Sequence, residues 1–557
     1  MSAATQRGSA QTPSGRLAPA DKKVIFASTL GTTLEWYDFY LYATLAPFFA
    51  ALFFPPGNDT AALLSAFATY AAGFLVRPFG ALLFGRVGDL VGRKFTFLAT
   101  ILLMGFATFA VGLLPTFEKI GWAAPILLVG LRLLQGLALG GEYGGAATYV
   151  AEFAPDGRRG FDTSWIQASA TLGFFMSLLV IGLCRTGMDA ADFSGWGWRI
   201  PFLLSLLLLI FSIYIRLRLD ESPVFRKMKA AGKGSKAPLT DSFLRHPNNK
   251  VVLLALLGAT AGQGVVWYTG QFYALFFLTI TLKADFLTAY TLIGASLLLG
   301  VPFFIFFGWL SDRIGRLKII MAGCLLAALT YFPLFAGLTH YVNPALEAYA
   351  AGNPVVVTAR DCNVHVFVGP WSRFTDCDKA KDYLTKAGLS FKSVAATAAQ
   401  TDNVVVKVGD KEVRGWSEAS VAAALVEGGF PGLAREVDAK GAVTYVTRDA
   451  DRNAIDRGMA LLILFVMVLY VTMVYGPIAA FLVELFPTRI RYTSMSLPYH
   501  IGNGWFGGML PLLATAMVAA TGDIYYGLWY PVVVAVATLV IGTLFLRDTR
   551  GRGIEQE

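Results

Sequence analysis

The chain is short of charge. Asp, Glu, Lys and Arg make up 15% of its 557 residues, where soluble domains carry about 25%. So little polar surface excludes a water-soluble protein of this length; much of the chain faces lipid. Cysteine is scarce as well, at four residues, too few for a disulfide-built scaffold. Histidine also numbers four, and no metal motif, nucleophile set or phosphate-cradling Gly loop appears. An enzyme is therefore a poor reading, and neither a cofactor nor a metal is expected.

What is present is apolar length. Twelve hydrophobic segments, near 24–54, 61–84, 95–115, 123–152, 162–186, 199–219, 251–281, 286–308, 318–340, 457–486, 493–520 and 525–546, each approach the roughly 20 residues a helix needs to cross a bilayer. The net charge of +9 would suit nucleic acid, but its distribution suits a membrane better. Arg86, Arg93, Lys94, Arg158, Arg159, the linker from Arg226 to Lys250, Arg313, Arg316, Lys318, Arg489 and Arg491 all fall in even-numbered connections. The positive-inside rule then puts both termini in the cytoplasm, and no nucleic-acid partner is needed. Residues 1–22 read as a disordered tail, without the apolar core of a signal peptide. The remaining divisions are bundles at 23–220, 251–340 and 457–547, a basic linker at 221–250 and a tail at 548–557.

A short polar loop occurs twice. Gly85-Arg-Val-Gly-Asp89-Leu-Val-Gly-Arg93-Lys94 returns as Gly308-Trp-Leu-Ser-Asp312-Arg-Ile-Gly-Arg316, and 308 − 85, 312 − 89 and 316 − 93 all equal 223. A second pair of segments, Glu142–Pro155 and Val474–Pro487, aligns at 332. The difference, 332 − 223 = 109, matches the polar block at 341–456. The chain thus reads as an all-α membrane protein of two six-helix repeats with a small inserted α+β domain outside the cytoplasm. Strands are expected at 355–357, 363–368, 404–408 and 443–446, and helices at 376–387 and 417–426. In that domain Cys362 and Cys377 read as a disulfide. Cys362-x-x-His365 with Cys377 as a metal set, and two free thiols, are the alternatives.

Certain motifs carry a family resemblance. They are Glu35-Trp36-Tyr37-Asp38-Phe39, Arg77-Pro78-Phe79-Gly80-Ala81, the loop at 85–94, Arg132-Leu-Leu-Gln-Gly136 running into Gly140-Gly-Glu142-Tyr-Gly-Gly145, Glu221-Ser-Pro223, and Glu484-Leu-Phe-Pro-Thr-Arg489. Together they resemble the major facilitator superfamily and, within it, the metabolite:proton symporters. The resemblance implies a bacterial inner-membrane transporter, monomeric and driven by the proton gradient. Its substrate would be a small molecule such as a dicarboxylate, tricarboxylate, shikimate-like acid, betaine or proline. It also implies gating by the repeated loop, through Gly85, Asp89, Arg93, Gly308, Asp312 and Arg316.

Ionisable groups inside a bilayer are costly and mark function by default. Glu35 and Asp38, three apart on one helix face, are candidates for proton coupling, with Arg132 and Glu142. Arg77 and Arg132 are candidates for a substrate carboxylate, since a guanidinium fork binds one bidentately. A structural bridge to Asp38, and snorkelling of Arg77, are the bland readings. None of these charges is duplicated: at the two offsets Glu35, Asp38, Arg77, Arg132 and Glu142 face Gly258, Ala261, Gly300, Leu464 and Val474. Coupling is therefore expected in the first half. The second half supplies neutral groups for substrate: Gln263, Trp267, Tyr268, Gln271, Tyr475, Tyr499, His500 and Asn503, joined by Tyr37 from the first. Two other functions are weighed against proton symport: a proton antiporter exporting amphiphiles, and a receptor sensing through the insertion.

Overall fold

Lipid offers the backbone no hydrogen-bond partner, so long apolar runs satisfy their own peptide groups as helices. The structure, a computed structural model, describes residues 19–55, 59–217, 223–363, 373–397, 402–437 and 441–553. The first half comprises α1 (Pro19–Phe53), α2 (Asp59–Leu75), α3 (Arg77–Leu90), α4 (Arg93–Leu113), α5 (Ala123–Phe153), α6 (Arg159–Thr186) and α7 (Ile200–Leu217). It is followed by α8 (Asn248–Thr281), α9 (Phe286–Ile314) and α10 (Arg316–Val342). Among the described residues ten helical stretches are long and apolar enough to cross a membrane; Leu98–Leu113 is a shorter apolar helix.

Some boundaries differ from expectation. The first helix begins at Pro19, inside the stretch read as a tail, while residues 1–18 lie outside the described residues. The second span is notched at Val76, where Pro78, which has no amide proton to donate, opens α3. Two short helices, Pro223–Ala230 and Pro238–Phe243, occupy the basic linker.

The repeat is visible in the backbone. Gly92 and Gly315, 223 residues apart, have φ of 146° and 113° and immediately precede α4 and α10. Side chains rarely tolerate that region, so glycine fixes the same turn in both loops. The halves meet where α6 packs along α9, α3 and α2 pack on α15 (Arg491–Thr521), and α5 packs on α14 (Arg457–Leu485). At the α6–α9 crossing, a Cβ on Gly160 would lie 2.5 Å from the Gly308 carbonyl oxygen, and one on Gly308 2.6 Å from that of Gly160. Only glycine lets the two backbones approach so closely.

Between α10 and α14 the chain builds α11 (Pro344–Gly352), β1 (Val355–Ala359), α12 (Asp376–Lys386), β2 (Phe391–Ala395), β3 (Val404–Val408), β4 (Lys411–Arg414), α13 (Glu418–Glu427), β5 (Leu433–Val437) and β6 (Val443–Thr447). A last helix, α16 (Trp529–Phe545), follows α15. Strands β1 to β4 form one sheet in the order β2-β1-β3-β4, with β1 parallel to β2 and antiparallel to β3, while β5 and β6 form a separate hairpin. Val355, Val357 and Ala359 are buried in alternation, as one covered face requires. Strands β2, β4 and β5 and helix α11 were not expected from the sequence, and most of the strand expected at 363–368 lies outside the described residues.

The insertion is fastened to the bundle. Phe391 N donates to Gly522 O at 2.8 Å and Ala450 N to Lys283 O at 2.8 Å. Arg452 pairs with Asp285 at 3.0 Å, and α12 packs against α2 and α15.

Candidate functional site

Two buried groups of polar residues stand out. The first surrounds Phe39 on α1. The Arg77 guanidinium carbon sits 4.3 Å from the Phe39 ring centre and 3.9 Å from that of Phe74. Arg132 sits 4.6 Å from Phe39, 4.6 Å from Tyr42 and 5.4 Å from Tyr70. Both arginines are 0% exposed. Arg132 donates to Gln135, which in turn donates to Thr108. Neither arginine forms an ion pair with a carboxylate among the described residues. Nε and Nη2 of Arg132, and all three nitrogens of Arg77, lack a hydrogen-bond partner there.

Glu35 and Asp38 are buried one turn apart on α1, at 4% and 5% exposure. Asp38 Oδ1 has no hydrogen-bond partner among the described residues, and no bridge joins Asp38 to Arg77 or Arg132. The bland reading, a carboxylate–arginine bridge, is thus not what the structure holds; aromatic rings lie against both arginines instead.

Helices α8 and α15 bring the second half to this group. Both contain wide π-turns, at Leu256–Thr260, Thr269–Tyr273, Phe277–Thr281 and Ile501–Gly508, a distortion that recurs at functional sites. Trp267 stacks on Tyr40 at 5.6 Å, and Tyr268 meets Phe74 edge-on at 5.4 Å. Tyr475 and Tyr499 share a 2.7 Å hydroxyl hydrogen bond, and Tyr499 stacks on Tyr143 at 3.4 Å. His500 meets Tyr499 edge-on at 5.1 Å. Gln271, Trp267 Nε1 and both His500 ring nitrogens have no hydrogen-bond partner among the described residues.

Four expected residues are differently engaged. Gln263 and Asn503 bond each other reciprocally at 3.0 and 2.7 Å. Tyr37 gives its hydroxyl to the Pro201 carbonyl in α7 at 3.0 Å, away from the arginines. Glu142 is buried in the glycine run of α5, where the neighbouring Gly141 carbonyl accepts from Tyr492.

The second group lies at the repeated loops. Asp89 accepts from Thr493 N at 3.1 Å and Thr493 Oγ1 at 2.7 Å. Asp312 accepts from Gly160 N at 2.8 Å and Phe161 N at 2.9 Å. Arg316 bonds Asp312 at 2.8 Å and Glu484 at 2.6 and 2.8 Å. Arg159 reaches Glu484 at 2.6 Å, and Arg491 reaches Glu152 at 3.2 Å. The last residues take part too: Thr549 donates to Glu484 at 2.7 Å, and Leu317 N donates to Asp548 at 2.9 Å. Gly85 lets α3 approach α15, since a Cβ there would stand 3.3 Å from Thr493 Cα. The side chain of Arg93 lies outside the described residues. The bonds of Asp89 to Thr493, Asp312 to Gly160 and Phe161, Arg159 to Glu484 and Arg491 to Glu152 cross from one half to the other.

Sequence reasoning passed over Glu152, Arg159, Glu484 and Arg491 as site residues. Their signal was present: 484 − 152 and 491 − 159 both equal 332. The rings that hold the arginines, Tyr42, Tyr70 and Phe74, carried no signal beyond the general abundance of aromatics. In the insertion a disulfide joins Cys362 to Cys377, with Cα atoms 5.3 Å apart. His365 lies outside the described residues.

Known proteins share this architecture. The sequence pattern of the sugar (and other) transporter family matches residues 23–251 and 439–556. The shikimate transporter of Escherichia coli K12 is 37% identical over 324 residues, 57% of this chain and 72% of that one. The alpha-ketoglutarate permease of the same strain is 36% identical over 320 residues, 58% of this chain and 72% of that one. Among solved structures, the proton:xylose symporter XylE bound to 6-bromo-6-deoxy-D-glucose superposes with a TM-score of 0.62 at 15% identity, covering 96% of this chain and 98% of that one. At that identity the likeness is one of fold. The chain belongs to the sugar (and other) transporter family of the major facilitator superfamily, whose members are membrane transporters rather than enzymes.

Proposed function

We propose that this chain is a secondary active transporter that carries a small carboxylated metabolite together with a proton by alternating access. One observation carries the substrate class: Arg77 and Arg132, fully buried, flank one ring and have no carboxylate partner among the described residues. A buried cation is costly without a counter-charge. Contact with a ring returns about 0.5–2 kcal/mol, well short of the several kcal/mol lost per buried ion. A carboxylate ligand supplies the rest, through guanidinium forks that the rings already hold in place. The names of the shikimate and alpha-ketoglutarate relatives support an organic acid.

Asp38 is the proposed proton carrier, with Glu35 beside it on the same face. In this reading α1 and α4 complete the ten clear spans to twelve helices in two bundles. The basic loops lie in the cytoplasm with both termini, the insertion lies in the periplasm, and the protein works as a monomer in a bacterial inner membrane. The crossing bonds of Asp89, Asp312, Arg159 and Arg491 then close the cytoplasmic side. Phe67 against Phe276, 4.7 Å apart, is one of the contacts covering the other side. Rocking of the halves opens one side at a time around the arginines.

Uptake into proteoliposomes under an imposed pH gradient tests this. Labelled organic acids should accumulate only when the outside is acidic, and Asp38→Asn should abolish the pH-driven part while leaving counterflow exchange. Gradient-driven uptake by Asp38→Asn at the wild-type rate would remove Asp38 from the role. Efflux of lipophilic cations in place of acid uptake would favour the antiporter.

A further inference from the structure

The inserted domain holds chemistry that transport does not use. Cys362, just beyond β1, is exposed. Its disulfide partner Cys377 is 2% exposed and lies in the first turn of the eleven-residue helix α12. A parallel β1–α12–β2 unit is followed by the antiparallel pair β3–β4, in the order β2-β1-β3-β4. That is the strand order and sense of the thioredoxin fold. Fold alone does not give activity; the placement of the two sulfurs does.

Three features of that placement suit exchange. Only Cys362 is open to attack, so an incoming thiolate has one target. Cys377 then departs in the first turn of α12, where the helix start favours negative charge on the leaving sulfur. The two sulfur-bearing segments are also joined without the disulfide. Thr375 Oγ1 donates to Asp361 O at 3.1 Å. The Asp378 carboxylate accepts from Asn363 N at 2.6 Å and Thr375 N at 2.8 Å. Opening the S–S bond therefore leaves both ends in register, and the thiols stay poised to close again.

We propose that Cys362–Cys377 is a reversible thiol–disulfide exchange site that oxidises a dithiol partner. A partner thiolate attacks Cys362 Sγ. The Cys362–Cys377 bond breaks, a mixed disulfide forms on Cys362, and Cys377 leaves as the thiolate. The partner's second thiolate then attacks its own sulfur in the mixed disulfide and releases Cys362. The partner loses two electrons and two protons as its disulfide forms, and the domain gains them as two thiols. The proposal stands apart from the transport reading.

The full chain in lipid nanodiscs, mixed with a dithiol peptide, tests it. After an acid quench, free thiols are mass-tagged with maleimide. In the native protein the disulfide should open, with one peptide disulfide formed per chain; in the reverse direction Cys377→Ser, mixed with the oxidised peptide, should trap it, because the Cys362 thiolate attacks the peptide disulfide and no second thiol of the domain resolves the adduct. Protease resistance and circular dichroism of the domain should not change on reduction. A disulfide that opens only after denaturation overturns the proposal. So does a domain that unfolds on reduction, because the bond is then a staple. Cys362→Ser is the blank, and peptide trapped equally in it, on Cys184 or Cys324, also overturns the assignment.

Discussion

Asp89 and Asp312, one repeat apart, each cap a helix of the opposite half: Asp89 holds Thr493 at the start of α15, and Asp312 holds Gly160 and Phe161 at the start of α6. The clasp is two-fold symmetric, because Phe161 and Thr493 are themselves related by 493 − 161 = 332. A carboxylate at a helix N-terminus is worth up to about 2 kcal/mol in a partly buried setting. Asp312→Asn should therefore shift the closed-to-open ratio by about tenfold or more, and Asp89→Asn should do nearly the same. The rate of labelling a single cysteine placed at the loop face reads the shift.

Glu484 neutralises more charge than any other acid in the clasp. It faces both Arg159 and Arg316, and its side chain is 1% exposed. Removing one partner of a buried pair costs about 3–5 kcal/mol, so Glu484→Gln should sharply lower the melting temperature in detergent. Glu152→Gln should cost less, because Arg491 keeps the Val483 and Phe486 carbonyls at 3.0 and 3.1 Å.

Lysine can replace neither stacked guanidinium. It lacks the planar fork and stacks poorly on a ring. Arg77→Lys and Arg132→Lys should each lower uptake by at least about tenfold, in line with loss of a charged hydrogen bond of roughly 1.5–3 kcal/mol, with little change in thermal unfolding. Scintillation proximity binding separates lost affinity from lost turnover.

The interface between insertion and bundle should respond to pH at both ends of the scale. Burial, followed by the charge of Lys386, holds the Lys283 amine down at about 8, against an ordinary 10.5, with Asp449 opposing. The folded state sheds that proton first, so stability should rise as pH climbs from about 8 towards 10.5. Lys283→Met should flatten the rise. Burial alone would raise Asp285, but Thr288 hydrogen bonds and the Arg452 charge outweigh it and hold the carboxyl below its ordinary 3.8. Its contribution is present above that value and is lost as pH falls through the lower folded one. Hydrogen exchange of the amides of Ala450 and Phe391 would follow both changes.

The sequence was most legible where two copies could be compared. The 223 offset located both loops and both φ-positive glycines, and the 109-residue excess located the insertion. The same arithmetic pointed to Glu152 with Glu484, yet their cross-half bonds to Arg491 and Arg159 depend on packing that no spacing expresses. The neighbours of the arginines were hidden for a related reason: spacing does not tell whether a buried Arg meets a carboxylate or a ring, and packing sets Phe39 and Phe74 against Arg77 and Phe39, Tyr42 and Tyr70 against Arg132. Strands β2 and β4 escaped notice because Lys392, Lys411 and Glu412 give exposed edge strands no alternating apolar signal.

Asp456 N donates to Tyr341 O at 2.9 Å, so the chain leaves the bundle and returns to it at a single point. A domain with touching ends can be added or removed without stretching the chain on either side of it. One genetic event could graft it onto a finished transporter, and another could excise it, with α10 and α14 unmoved. Excision would still leave Gly522, Lys283 and Asp285 on the bundle without the bonds they now make to Phe391, Ala450 and Arg452.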